Sequence, residues 1–147
     1  MVSEISLHII QNIPARYNIT LSMEALDIQN VYNEYYAKIG FILPWVGYFI
    51  SVNDLIVGVC GFKGQPINGE VEIAYYTFEQ YQNQGIASLA CKKLIAMVRD
   101  YDESIQILAN TSPEYNYSTN ILQRNNFMFI REYEHELDGK IWEWKLR

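Results

Sequence analysis

VEIAYYTFEQYQNQGIAS, Val71 to Ser88, changes periodicity part-way along, and the fold follows from that change. Val71 to Phe78 is rich in β-branched and aromatic residues, as strands are. Beyond it, Ile86, Leu89, Ala90, Leu94, Met97, Val98 and Tyr101 recur at helical spacing. The junction Gln82 to Ala87 (QNQGIA) therefore opens a helix directly behind a strand. The first turn of a helix leaves N–H groups without partners and carries the positive end of the macrodipole. Gly85 adds no Cβ to block a ligand, so this nest of amides suits a pyrophosphate. The chain has no GxxxxGK followed by Ser or Thr and no GxGxxG, so neither of those phosphate loops applies.

Composition narrows the class of protein. A chain of 147 residues is one domain by length, large enough to bury a core without disulfides or metal. Half of its residues are hydrophobic and twelve are tyrosines, which argues against disorder and for a tyrosine-lined surface or cleft. A formal charge of −6 opposes binding to nucleic acid or to an anionic membrane. The start, MVSEISLHII, lacks the basic flank of a secretory signal, and no apolar run reaches membrane-spanning length, so a cytoplasmic protein is expected. Cys60 and Cys91 form no CxxC pair and are expected to be buried thiols; with only His8 and His135 besides, no metal site is expected.

The order of elements follows from periodicity and turn chemistry. Ile5 to Ile10 forms a first strand, broken by Pro14. Ser22 caps a helix that runs to Ile39 and stops at Gly40, with Ile28, Val31, Tyr32, Tyr35 and Ile39 on one face. Trp45 to Val52 and Leu55 to Phe62 make a hairpin about Asn53 and Asp54, and a turn through Pro66, Asn68 and Gly69 leads into the Val71 strand. After the long helix, Ser104 to Ala109 is a strand expected to pair in parallel across it. Tyr117 to Asn125 is a short helix, and Phe127 to Glu136 with Lys140 to Arg147 closes the chain as a hairpin. The fold class is α/β, with helices on a mixed, mainly antiparallel sheet.

Gln82, Gly85 and Ala87 fit the Q/RxxGxG/A pattern, and the loop resembles the pyrophosphate loop of the GNAT acyltransferases. The likeness runs on through Gly61 to Ser88: a GFKG strand end, a P..dG turn, VEIAY where the family has VEIgY, and then the loop. A second block, ANTSPEYNYSTNILQRNNF (Ala109 to Phe127), is similar to T.PE.N.S..vL.k.GF of the ribosomal-protein N-terminal acetyltransferase branch. Four further positions depart from that pattern: Glu79 stands for a proline, Asn126 for a glycine, and Asn83 and Gln84 for the usual loop cations.

The resemblance implies the GNAT fold, with acetyl-CoA as cosubstrate and transfer of its acetyl group to a primary amine by direct attack, without metal. The acceptor is a peptide N-terminus, a lysine or a small amine. A non-catalytic acyl-CoA-binding or interaction module on the same fold is the alternative. A homodimer is compatible with the sequence but not readable from it. The resemblance puts the pyrophosphate on Gln82, Asn83, Gln84, Gly85, Ile86 and Ala87, and the pantetheine arm along the backbone of Tyr76, Thr77 and Phe78 with Asn116 beside it. It makes Glu72 the general base and Ser118 the proton donor to the leaving thiolate.

Each assignment has a plainer counterpart. Glu72 is also readable as a solvated strand carboxylate on the face it shares with Glu70, Ser118 as a helix N-cap, and Asn116 as a turn residue after Pro113. Tyr32, Tyr35, Tyr36 and Phe41 either shape an acceptor pocket or pack in the core. The base has the larger task of the two. A lysine-type amine costs about 4.6 kcal/mol to deprotonate at pH 7, against about 1.4 for a peptide α-amine and about 2 for a thiol-like leaving group.

Overall fold

Alternating β-branched and aromatic residues need a neighbour on each edge, and in this chain they find it in one seven-stranded sheet. The computed structural model describes residues 1–10 and 22–147; the break expected at Pro14 lies outside the described residues. In chain order the elements are β1 (Ser6–Ile9), α1 (Met23–Ile39), β2 (Gly47–Val52), β3 (Leu55–Phe62), β4 (Glu70–Thr77), α2 (Ile86–Tyr101), β5 (Gln106–Thr111), α3 (Tyr117–Arg124), β6 (Phe127–His135) and β7 (Gly139–Leu146). The strand order is β1-β2-β3-β4-β5-β7-β6. Every neighbouring pair is antiparallel except β4 and β5, which the α2 crossover joins in parallel, as the sequence implied.

Local signals place the boundaries. Ser22 caps α1, its side chain accepting from the Ala25 N–H at 3.2 Å. Asn53 and Asp54 both take positive φ, as a tight two-residue hairpin turn requires. At the first half of β4 the two strands run side by side, Glu70 to Ile73 opposite Gln106 to Ala109. β5 continues to Thr111, two residues past the expected end, because its last residues pair with β7.

Two apolar clusters hold the faces of the sheet. On one face, Ala90, Cys91 and Leu94 of α2 pack with Val71, Ile73 and Ile107. On the other, Ala25 of α1 packs with Phe49, Ile56 and Phe78. Burying each large apolar side chain contributes about 1.5–3 kcal/mol, so both helices are held chiefly by these faces. The Tyr36 hydroxyl accepts the Gly47 N–H at 2.6 Å, fastening α1 to the start of β2. Cys60 and Cys91 are buried and free, as expected. Among the described residues no helix is long and apolar enough to cross a membrane.

Candidate active site

The site begins where the parallel ladder stops. β4 pairs with β5 only as far as Ile73 opposite Ala109, and β4 runs on through Ala74 to Thr77 with β3 alone as neighbour. Lys63 donates its N–H to the Glu72 carbonyl and Phe78 donates to the Val57 carbonyl, each at 2.9 Å. Backbone polar groups alternate sides along a strand, so the even-numbered residues of this segment face β3. Tyr75 and Thr77 therefore turn their backbone groups into the gap that β5 has left. This corrects the expectation for Tyr76, Thr77 and Phe78. Of the three, only Thr77 presents its backbone to the gap; Tyr76 and Phe78 face β3, and Tyr75 is the other residue on the open edge.

A cavity of about 310 Å³ fills the gap. It gathers Tyr76, Thr77, Gln82, Ala87, Asn116 and Ser118, all singled out from the sequence, and adds Tyr75, Tyr117 and Ile121, which were not. Gln82 bends back so that its Nε2 donates to the Thr77 carbonyl at 2.9 Å, closing the strand end. The Thr77 Oγ1 is buried without a hydrogen-bond partner. A buried hydroxyl left unbonded costs about 1–3 kcal/mol.

The far end of the cavity is the start of α2. Gly85 occupies the N-cap position at φ 81°, and no side chain caps the helix, which leaves its first amides open to a ligand. Asn83 also has positive φ, and Ile86 is 1% exposed and belongs to the core. The Gln84 carbonyl accepts the Val2 N–H at 3.0 Å, so the N-terminal arm is fastened to the loop.

The cap reading given to Ser118 belongs to Asn116. Asn116 is the N-cap of α3: its Oδ1 accepts from Thr119 N–H at 3.2 Å while the Thr119 hydroxyl receives the Asn116 N–H at 2.8 Å. Its Nδ2 donates to Glu114 at 3.1 Å, so both ends of the side chain are engaged locally. Ser118, one residue into α3, is thus not the cap. It stands half-buried on the cavity wall, and its carbonyl accepts the Tyr75 hydroxyl at 3.0 Å. Burial pushes the Tyr75 phenol well above its ordinary pKa, against a smaller lowering by Ser118.

Glu72 lies on the opposite face of β4 from Tyr75 and Thr77, because side chains alternate. It is not a free strand carboxylate. Lys63 Nζ sits 2.8 Å from its Oε2, and Asn110 Nδ2 donates to its Oε1 at 3.1 Å. Glu70, two residues earlier, pairs instead with Lys145 at 2.6 Å. Asn110 was missed because the strand was expected to end at Ala109; the signal available was a polar residue in β5 continuing the alternation with Gln106. Tyr76 shares the Glu72 face and lines a second hollow of about 430 Å³ against α1, with Val31, Tyr32, Glu24 and Asp27. Tyr76 thus borders both the gap and the α1 side. Of the tyrosines proposed for an acceptor pocket, Tyr32 and Tyr35 line hollows there, while Tyr36 is 5% exposed and packs in the core.

The model of the acetyltransferase (GNAT) domain matches residues 11–128. No curated protein sequence matches the chain. Among solved structures, an acetyltransferase from Salmonella typhimurium that modifies the N-terminal serine of a 50S ribosomal subunit protein is 19% identical with a TM-score of 0.65, covering 86% of this chain and 74% of its own. A ribosomal α-N-protein acetyltransferase in complex with coenzyme A is 15% identical with a TM-score of 0.70, over 98% and 94% of the two chains. A ribosomal-protein-alanine N-acetyltransferase from Brucella melitensis is 14% identical with a TM-score of 0.65, over 97% and 98%. At such identities the likeness is one of fold. The domain match spans the loop, the open edge of β4 and the Ser118 helix alike, and the chain belongs to the GNAT acetyltransferase family.

Proposed function

We propose that the protein is an N-acetyltransferase that takes the acetyl group of acetyl-CoA to a primary amine, by direct attack, with a protein N-terminus as the acceptor. One observation carries this reading: the β4–β5 ladder opens beside an uncapped helix N-terminus, with a cavity between them that Thr77, Gln82 and Ala87 line. That combination fits a ligand with amides along its length and a pyrophosphate at its end. The thioester of such a ligand supplies an activated acyl group.

The chain's own residues supply the rest. The Tyr75 and Thr77 backbone groups form a strand edge for an extended arm, and an N–H aimed into the gap is placed to polarise an acyl carbonyl. The α2 amides hold the pyrophosphate. Glu72, oriented by Lys63 and Asn110, faces the side from which an amine arrives and takes its proton, directly or through water. Ser118, on the other face, returns a proton to the departing sulfur. The carboxylates of Glu24 and Asp27 beside the α1 hollow favour a cationic acceptor. One structural neighbour modifies the N-terminal serine of a ribosomal protein, which supports a peptide α-amine over the other amines.

The test is calorimetric titration with CoA and acetyl-CoA, followed by thiol release over a panel of peptide α-amines, lysine peptides and polyamines. Turnover confined to peptide α-amines is the expected result. Binding without turnover on any amine identifies the non-catalytic acyl-CoA module, and no binding removes both readings.

A further inference from the structure

Gln82 to Ala87 contains no cation, although it is placed to meet a pyrophosphate. The chain's positive charge collects elsewhere. Lys92 of α2, Arg124 in the last turn of α3 and Arg147 after β7 line one cavity of about 490 Å³, with Asn125 and Asn126 and no acidic residue in its wall. This is unexpected in a chain with 11 Lys and Arg against 17 Asp and Glu. Among the described residues, none of the three cations is in an ion pair. Three cations about one hollow repel one another, and an anion of high charge density relieves the repulsion.

Position says which anion. Asn125 Nδ2 donates to Ser88 Oγ at 3.2 Å, which clamps α3 to the first turn of α2. Ala87 and Ile121 line the gap cavity on these two helices, while Lys92 and Asn125 line the basic one, about one helical turn further along each. Lys92 is about 10 Å of helix rise beyond Gly85. A nucleotide whose pyrophosphate rests on the Gly85 amides has its ribose beyond them, and the cavity of Lys92, Arg124 and Arg147 is the next one along these two helices. A phosphate monoester there is a dianion with several acceptor oxygens, matched by arginine forks and a lysine point charge.

We propose that the Lys92–Arg124–Arg147 cavity is the subsite for the ribose 3′-phosphate of CoA, and that it replaces the cations that the loop lacks. This rests on the acetyl-CoA reading above and adds to it a discrimination between CoA and 3′-dephospho-CoA. The two ligands share the pantetheine and the pyrophosphate and differ only in the group that this cavity takes.

The experiment is calorimetric titration of the full chain with CoA, 3′-dephospho-CoA and inorganic phosphate. The parent should bind CoA about ten- to hundredfold more tightly than 3′-dephospho-CoA. The variant Lys92→Gln with Arg124→Gln should bind both with the parent's affinity for 3′-dephospho-CoA. Both side chains are on the surface; the two single variants, each with a reduced preference, serve if the double one does not fold. Lys93→Gln, one residue along and outside the cavity, should keep the full preference. Equal affinities in the parent, or an undiminished preference in the double variant, overturn the proposal while leaving the acetyl-CoA reading intact. Binding of neither CoA nor 3′-dephospho-CoA overturns that reading and this one together. Inorganic phosphate binding as tightly as CoA, with no preference between the two CoA forms, marks a general anion site and likewise overturns it.

Discussion

The hydroxyl of Tyr75 donates to the carbonyl of Ser118 across 3.0 Å, joining the unpaired end of β4 to the first turn of α3. The bond spans the gap where the sheet opens, and it holds at a fixed separation the strand edge and the hydroxyl proposed to serve one reaction. Tyr75→Phe keeps the ring and removes the bond. A loss of about 0.5–1.5 kcal/mol of stability is expected, together with a fall in kcat that exceeds any rise in KM. Urea denaturation and steady-state kinetics on the same variant separate the two. Unchanged kcat at reduced stability would leave the bond with a structural role alone.

Glu72 and Ser118 differ in how their loss should depend on pH. Glu72→Gln removes the proton acceptor and the Lys63 pair, and turnover at pH 7 should fall by about a hundredfold or more. Raising the pH supplies free amine, so part of the loss should be recovered. Ser118→Ala should cost about ten- to a hundredfold, without that recovery for want of free amine. The pH profiles of both variants on one peptide amine decide the matter; a Glu72→Gln profile matching the parent at every pH would eliminate it as base. Because Asn116 caps α3, a mere loss of helix stability in Ser118→Ala is not expected.

Gly85 is where a side chain would do most harm to CoA binding. Its φ of 81° is left-handed, and a Cβ there would stand 3.0 Å from the Met1 methyl, the movable end of a flexible side chain. Gly85→Gln therefore carries about 1–2 kcal/mol of backbone strain besides filling the pyrophosphate space. Calorimetry should find CoA affinity at least tenfold lower, more than the strain alone produces in a folded variant. Undiminished affinity would move the phosphate site elsewhere.

Stability should fall in alkali. Burial pushes the phenols of Tyr32 and Tyr48 up to about 12, from an ordinary value of 10.0. The unfolded chain releases these protons first, so the stabilisation is complete below about pH 10 and is lost as the pH rises toward about 12. Urea midpoints at a series of alkaline pH values should show this decline, and Tyr32→Phe should reduce its slope. A flat midpoint through that window would contradict the buried setting of both rings.

Cys60 and Cys91 are 2% and 0% exposed, and burial pushes the Cys91 thiol up to about 12 and Cys60 above its ordinary value as well. Thiolate is the reactive form, so neither should react with an aromatic disulfide reagent near pH 8 while the chain is folded. Both should titrate once it is unfolded in urea. Rapid labelling of the native protein would show that one of these sites opens.

Much of the architecture was decided by local chemistry. The Ser22 cap, the Asn53–Asp54 turn, the strand-to-helix change at Gly85 and the hairpin turn between His135 and Gly139 depend on residues within a few positions of one another. Backbone dihedrals, caps and burial periodicity act at that range, which is why the order of strands and helices was legible. Asn126, where the resemblance has glycine, takes left-handed backbone at φ 69°, which asparagine tolerates better than most residues.

Long-range pairing decided the rest. Nothing near Ile73 in sequence says that β5 leaves it there; that depends on β5 turning to pair with β7, a strand more than thirty positions away by number. The end of that ladder gave the gap to Tyr75 and Thr77 rather than to Tyr76 and Phe78. Asn110 was brought to Glu72, Lys63 to the other oxygen of the same carboxylate, and Lys92 and Arg124 to one cavity, in each case by packing of separate elements. Sequence determined which elements form because their stabilising interactions are local. Tertiary structure decided which side chains meet, because partners 9, 32 and 38 positions apart in number become neighbours only when the sheet assembles.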